Sequence, residues 1–150
     1  MAIALLDVNV LVALLWRPHV HHMLAQKWFQ ENEQNGWATC ALTQASFVRI
    51  VSNPSFSSSA APPAQAVALL ASALQNPHHH FWNDEIDFVD AVRPFKGRIS
   101  GHQQVTAAYL LGLAIHHKGR LLSLDGGIAN LLPERERKSG VIIHLSAQAQ

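Results

Sequence analysis

The sequence predicts an α/β fold, a three-layer α/β/α sandwich around a central parallel sheet of roughly five strands. Three observations lead there. Short apolar runs of strand length recur along the chain, and the clearest of them are continuous rather than alternating, as in strands covered on both faces. Helical patterns with their own start and stop signals separate these runs. The connections are short, which favours right-handed crossovers between parallel neighbours, and no internal repeat suggests a solenoid.

Taken in order, residues 3–6 form the first strand, ending at Asp7. Val10, Leu11, Ala13 and Leu14 then mark a short helix closed by Pro18. A second helix is expected over residues 19–32, with Met23, Trp28 and Phe29 on its apolar face and Gly36 as its stop. Residues 37–42 read as a buried strand, with Thr43 as N-cap of the helix carrying Phe47, Val48, Ile50 and Val51. Asn53-Pro54 ends that helix, residues 55–63 are a Ser/Ala/Pro-rich loop, and an Ala/Leu-rich helix follows over residues 64–75.

A third strand is expected over residues 79–82, after which Asn83 could cap a helix. Pro94 and Gly97 interrupt the pattern. Ser100 and Gln103 have the spacing of a capping box, opening a helix that reaches His117 and stops at Gly119. Residues 120–124 form a fourth strand ending at Asp125, Gly126-Gly127 turn the chain into a short helix broken by Pro133, and residues 141–145 close as a fifth strand.

Composition narrows the class. The chain has 150 residues, of which 49% are hydrophobic and 14% charged, so it can bury a core of single-domain size and is too apolar for disorder. No apolar run approaches the roughly 20 residues that cross a bilayer, and neither a signal peptide nor an anchor is evident, so a cytoplasmic home is expected. The single cysteine, Cys40, sits in an apolar run and is expected to be a buried thiol. A net charge of +1 does not announce nucleic-acid binding, which depends on local clusters of Lys and Arg.

Asp7 and Asp125 each follow a buried strand, and in open parallel sheets ligands bind beyond the carboxyl ends of the strands. Clustered carboxylates raise one another's pKa unless a cation neutralises them. Mg²⁺ or Mn²⁺ prefers such oxygen ligands and keeps waters, which leaves room for a phosphate oxygen and an attacking hydroxide. The plainer alternative stays open: Asp7 could cap the following helix and Asp125 could begin a turn.

Three stretches in this order, LLDVNVLVALLW, WATCALTQASFVRIVSNP and GHQQVTAAYLLGLAIHHKGRLLSLDGG, resemble the PIN-domain ribonucleases, and among them the VapC-type toxins of bacterial toxin-antitoxin pairs. The likeness runs from near the start to about Leu132 and implies one PIN-like domain over residues 1–150. It implies an endoribonuclease in which carboxylates hold Mg²⁺ or Mn²⁺ and activated water cuts RNA. A cognate antitoxin would block the site, and a homodimer is implied. Asp7 matches the first metal ligand and Asp125 the late acidic residue. Asn9 matches a position that orients the first carboxylate, and Asp84 lies in a stretch that is often acidic.

Two positions depart from the pattern. Where many PIN domains carry Glu after the second strand, Thr43-Gln44 stands, and Gln44 brings no charge. More gravely, the stretch that normally reads Thr-Asp-Ala-Tyr here reads Thr106-Ala107-Ala108-Tyr109. Ala107 thus stands in a vacated ligand position, and weak or absent nuclease activity is expected. The alternative function is a non-catalytic RNA- or antitoxin-binding module on the same scaffold. A phosphatase of the haloacid-dehalogenase type also begins with a strand ending in Asp, but it needs a second Asp where Asn9 stands.

The histidine runs at 19–22, 78–80 and 116–117 lack zinc-ligand spacing and are expected to be surface or helix-end imidazoles. Basic loop residues such as Arg93, Lys96 and Arg98 are expected to be solvated or to follow an RNA backbone, and Arg49 could contact substrate. Trp16, Trp28, Trp37 and Phe47 are expected to pack in the core, and the two early helices could offer a groove to an antitoxin helix.

Overall fold

In the computed structural model, residues 2–147 are described. Strand β1 (Ala4–Leu6) lies at the centre of the sheet with β2 (Trp37–Thr39) on one side and β4 (Arg120–Ser123) on the other. The outer strands are β3 (His79–Phe81) beside β2 and β5 (Ile142–His144) beside β4, giving the order β3-β2-β1-β4-β5. Every pairing is parallel, with Leu5 opposite Ala38 and Leu121. The predicted three-layer architecture is therefore the one observed.

Helices cover both faces. On one side α1 (Val8–Leu15), α2 (His22–Asn32), α3 (Ala41–Val51) and α4 (Pro63–Ala73) bury Val10, Leu11, Phe47 and Leu70 against Ala4, Leu6, Trp37 and Leu122. On the other, α5 (Phe88–Val92) and α6 (Val105–His116) bury Val92, Leu110, Leu111 and Leu113 against Leu5, Ala38 and Leu121. Alternate residues of each strand thus supply opposite cores, which explains why these strands read as unbroken apolar runs. Helices α5 and α6 approach so closely that a Cβ at Gly112 would lie 2.1 Å from the carbonyl oxygen of Ala91.

Several boundaries differ from the sequence reading, each for a local reason. The turn before α2 persists to His21, so the helix starts at His22, and Met23 is 81% exposed rather than on the apolar face. Strand β2 ends at Thr39. Cys40 is the N-cap of α3, and Thr43 is its third residue, whose hydroxyl accepts from the Cys40 amide. Helix α5 is capped by Asp87, which accepts from the Asp90 amide, not by Asn83. Ser100 bonds Gln104 instead of Gln103, and a 3-10 turn over His102–Gln104 precedes α6. The segment after Gly126 is likewise a 3-10 helix, Gly126–Leu131.

At the end of α6 the left-handed residue is Lys118, with φ 58°, and the Gly119 amide closes on the Ala114 carbonyl at 2.8 Å. Glycine is needed at 119 for space: a Cβ there would lie 2.6 Å from both the Ile3 carbonyl oxygen and the Trp82 ring. No helix among the described residues is long and apolar enough to cross a membrane.

Candidate active site

The register builds the site. Leu6 pairs with Leu122, so one step further the chain sets Asp7 beside Ser123 at the carboxyl rim of the two central strands. Asp7 is only 9% exposed. Its Oδ1 accepts from the Val8 amide at 2.7 Å, capping α1, and its Oδ2 accepts from the Ser123 hydroxyl at 2.7 Å. Burial pushes the Asp7 carboxyl above its ordinary value, the Ser123 and Val8 bonds pull it back in part, and the charge of Asp125 raises it further.

Ser123 is the hub. It is fully buried, and while it donates to Asp7 it accepts from the Asn9 side-chain amide at 3.2 Å and from the Asp125 backbone amide at 3.0 Å. One donor and two acceptor positions are a hydroxyl's whole capacity, so its rotation is fixed. The sequence reading passed over this residue. The available signal was a hydroxyl in an otherwise apolar strand, two positions before an Asp.

Asn9 orients Asp7 at one remove. Its Nδ2 holds Ser123, and its Oδ1 accepts from the Leu124 amide at 3.1 Å, so it ties α1 to the end of β4 and makes no direct bond to the carboxylate. Asp125 is exposed, and its Oδ1 accepts from the Gly127 amide at 2.8 Å. Both carboxylates therefore do cap the segments that follow them. Capping does not account for why two of them share one rim, where each costs the other free energy.

The remaining candidates fall at different distances from this pair. Helix α6 leads directly into β4, so its first turn, with Ala107, lies at the same carboxyl rim; Ala107 is half-buried against the core of that face. Gln44 turns towards the sheet, donating to the Thr39 hydroxyl at 3.0 Å, which in turn meets His79 Nε2 at 2.8 Å. Burial lowers the His79 pKa, and the neighbouring His80 adds to the effect. Arg49 is exposed in the last turn of α3, about 12 Å along the helix from its rim end at 1.5 Å per residue, and forms no ion pair among the described residues. Asp84 lines a recess with Cys40, Leu42, Phe88 and Tyr109.

The donor set at Asp7 is all hard oxygen, as Mg²⁺ or Mn²⁺ requires, and a buried carboxylate held beside a second one is what a divalent cation would relieve. It is also thin. Among the described residues no group of three or more His, Cys, Asp or Glu is placed to share a metal ion, and this holds for the histidine runs as well. His117, for instance, stacks on Trp82 with ring centroids 4.4 Å apart. The residues fit a hydrated divalent ion on two carboxylates and not an enclosed cage.

Against this geometry stand the comparisons with known proteins. The PIN domain family model matches residues 4–131. Ribonuclease VapC39 of Mycobacterium tuberculosis (strain ATCC 25618 / H37Rv) is 42% identical over 127 residues, covering 85% of this chain and 91% of that protein. Ribonuclease VapC44 of the same strain is 44% identical over 126 residues, covering 84% and 88%. The crystal structure of VapBC2 from Rickettsia felis, bound to a DNA fragment from the VapBC promoter, superposes with a TM-score of 0.64 at 13% identity, covering 96% of this chain and 99% of that one. At that identity the likeness speaks for the fold alone, whereas the family match and the curated relatives carry the assignment. The chain belongs to the PIN-domain family, among the VapC ribonucleases.

Proposed function

We propose that this chain is a VapC-type toxin scaffold whose chemistry is metal-dependent hydrolysis of RNA phosphodiester bonds, impaired by Ala107. The observation that carries the reading is the buried Asp7 held by Ser123 beside Asp125, in a chain 42% identical to a named ribonuclease over most of its length. Asp7 and Asp125 would hold Mg²⁺ or Mn²⁺. When bound, such an ion supplies a water acidic enough to attack phosphorus and a charge to neutralise the phosphate oxygens. Ser123 and Asn9 keep the Asp7 carboxylate in one orientation, and the Asp125 cap on Gly127 does the same for the second ligand. With a methyl group at 107 the rim offers two carboxylates where the family pattern has a third. Outer-shell losses alone cost about 10–100-fold in metal affinity or activity, so the loss of a direct ligand should exceed that.

A cognate antitoxin belongs to the same proposal, supported by the likeness of the fold to a VapBC structure, and the proposal extends to a homodimer in a cytoplasmic setting. The second reading, a module that binds RNA or antitoxin without cutting, is favoured by the missing third carboxylate. One experiment separates them: purified chain and its Ala107→Asp variant are incubated with total RNA in Mn²⁺ and in chelator. Cleavage by the variant alone, abolished by chelator, supports an impaired nuclease. Equal cleavage by both, or cleavage that persists in chelator, would sink the proposed mechanism.

A further inference from the structure

The recess that holds Asp84 is not explained by the carboxylate pair, yet it lies next to it. Strands β1 and β2 are parallel neighbours, and Cys40 follows β2 as Asp7 follows β1, so both residues stand at the carboxyl rim of adjacent strands. Cys40 is one wall of a recess of about 290 Å³, small enough to suit a single flat ring. Two aromatic side chains line it: the Phe88 and Tyr109 ring planes lie within 13° of each other, centroids 6.2 Å apart, an orientation that a third flat ring can share. Leu42 and Phe88 remain 38% and 43% exposed, so neither is consumed by the core.

Charge restricts what can enter. Asp84 makes no hydrogen bond or ion pair among the described residues, and the adjoining cleft adds Asp87, together with Glu85, which faces His116 at 3.5 Å, and Asp90, which is paired with Arg93, so the margin is acidic on balance. Such a margin repels phosphate, so a nucleic acid could present only a neutral base here while its backbone stays on the side of Asp7. A carboxylate accepts two parallel hydrogen bonds. Among the RNA bases only guanine offers two adjacent donors, N1–H and the N2 amino group, on one edge. Adenine and cytosine place an acceptor beside their amino group, which a carboxylate opposes, and uracil flanks its single donor with two carbonyls.

We propose that this recess is a nucleobase subsite which takes a guanine next to the cleaved phosphate, with Phe88 and Tyr109 stacking on the base and Asp84 reading its edge. The proposal rests on the RNA-cleavage reading and gives it a sequence preference. Stacking on aromatic side chains supplies base-independent affinity, and the bidentate contact supplies discrimination.

The test uses the full chain and fluorescently labelled tetraribonucleotides, UUGU, UUAU and UUIU (I, inosine), titrated in Mg²⁺ with anisotropy as the readout and oligonucleotide integrity checked afterwards. The guanine oligonucleotide is expected to bind about tenfold more tightly than the adenine one, with inosine between because it lacks the N2 amino group. Asp84→Asn offers one acceptor and one donor and is expected to reverse the preference towards adenine, which a merely structural role for Asp84 cannot produce. Phe88→Ala should weaken all three by about tenfold.

Equal affinity for all three, unchanged by Asp84→Asn, overturns the subsite, as does absence of binding to any of them. Loss of a co-expressed antitoxin in these variants, without base-dependent binding, would give the recess to a protein segment and overturn it as well. If the Ala107→Asp variant cuts RNA regardless of base, the nuclease reading stands and the subsite falls. If that variant fails to cut but the guanine preference and its Asp84→Asn reversal are seen, the subsite stands and the nuclease reading falls.

Discussion

Ser123→Ala removes three hydrogen bonds while changing almost no volume. The bond to Asp7 is the costly one, because the carboxylate is buried and loses a donor to a charged group, worth about 1.5–3 kcal/mol. The Asn9 amide and the Asp125 backbone amide lie nearer the surface and can recruit water, adding at most about 1 kcal/mol. The total, about 2–4 kcal/mol, lowers the melting temperature of a chain this size by something on the order of 10 °C. Calorimetry reads this directly. A second readout separates mechanism from mere weakening: the Ser123 bond lowers the Asp7 pKa, so its loss should move that pKa further up in an NMR carboxyl titration. A variant as stable as the parent, with an unchanged Asp7 titration, would refute the role of Ser123 as hub.

Other expectations follow from the same geometry. Burial raises the folded pKa of Asp7 above its ordinary 3.8, so the folded chain holds that proton more tightly. The contribution of Asp7 to stability is therefore most favourable below that value and declines as pH climbs through the raised pKa. Asp7→Asn should remove this slope, seen as a difference between the two chains' denaturation midpoints across acidic to neutral pH; parallel curves would contradict it. Asp125→Asn keeps an amide oxygen for Gly127, so stability should change by no more than about 0.5 kcal/mol, while the Asp7 pKa comes down because a like charge is gone. Gly112→Ala gains about 1 kcal/mol in helix propensity but forces α5 away from α6, so urea denaturation should show a net loss of about 1–3 kcal/mol.

What was legible in the sequence was what periodicity and chain order determine. Strands buried on both faces read as short continuous runs, and Asp7 and Asp125 could be placed at one rim because both follow such runs in a parallel sheet. Less legible were contacts set by register. That Asn9 reaches Asp7 only through Ser123 follows from Leu6 lying opposite Leu122, a pairing no local pattern announces. Caps were misassigned by a few residues for a related reason: a cap is chosen by where the chain leaves the sheet. Cys40 takes that place because β2 ends at Thr39, which leaves Thr43 to reach back from within the helix. Lys118 takes the left-handed position, while Gly119 one residue later is required for the space beside Ile3 and Trp82. Asp84 is a supporting candidate only by its likeness to an acidic stretch of the family, and no local pattern announces that the fold sets it in a recess with Phe88 and Tyr109.

If Asp7 and Asp125 form a divalent-cation site lacking a third carboxylate at position 107, metal binding by itself should show it. Titrating Mn²⁺ into the chain and following the free ion by electron paramagnetic resonance tests this without any RNA. Weak binding is expected for the chain as it stands, binding stronger by more than about tenfold for Ala107→Asp, and loss of that gain when Asp7→Asn is added. Equal Mn²⁺ affinity in the chain and its Ala107→Asp variant, or a gain that survives Asp7→Asn, would rule out a shared site at Asp7 and position 107.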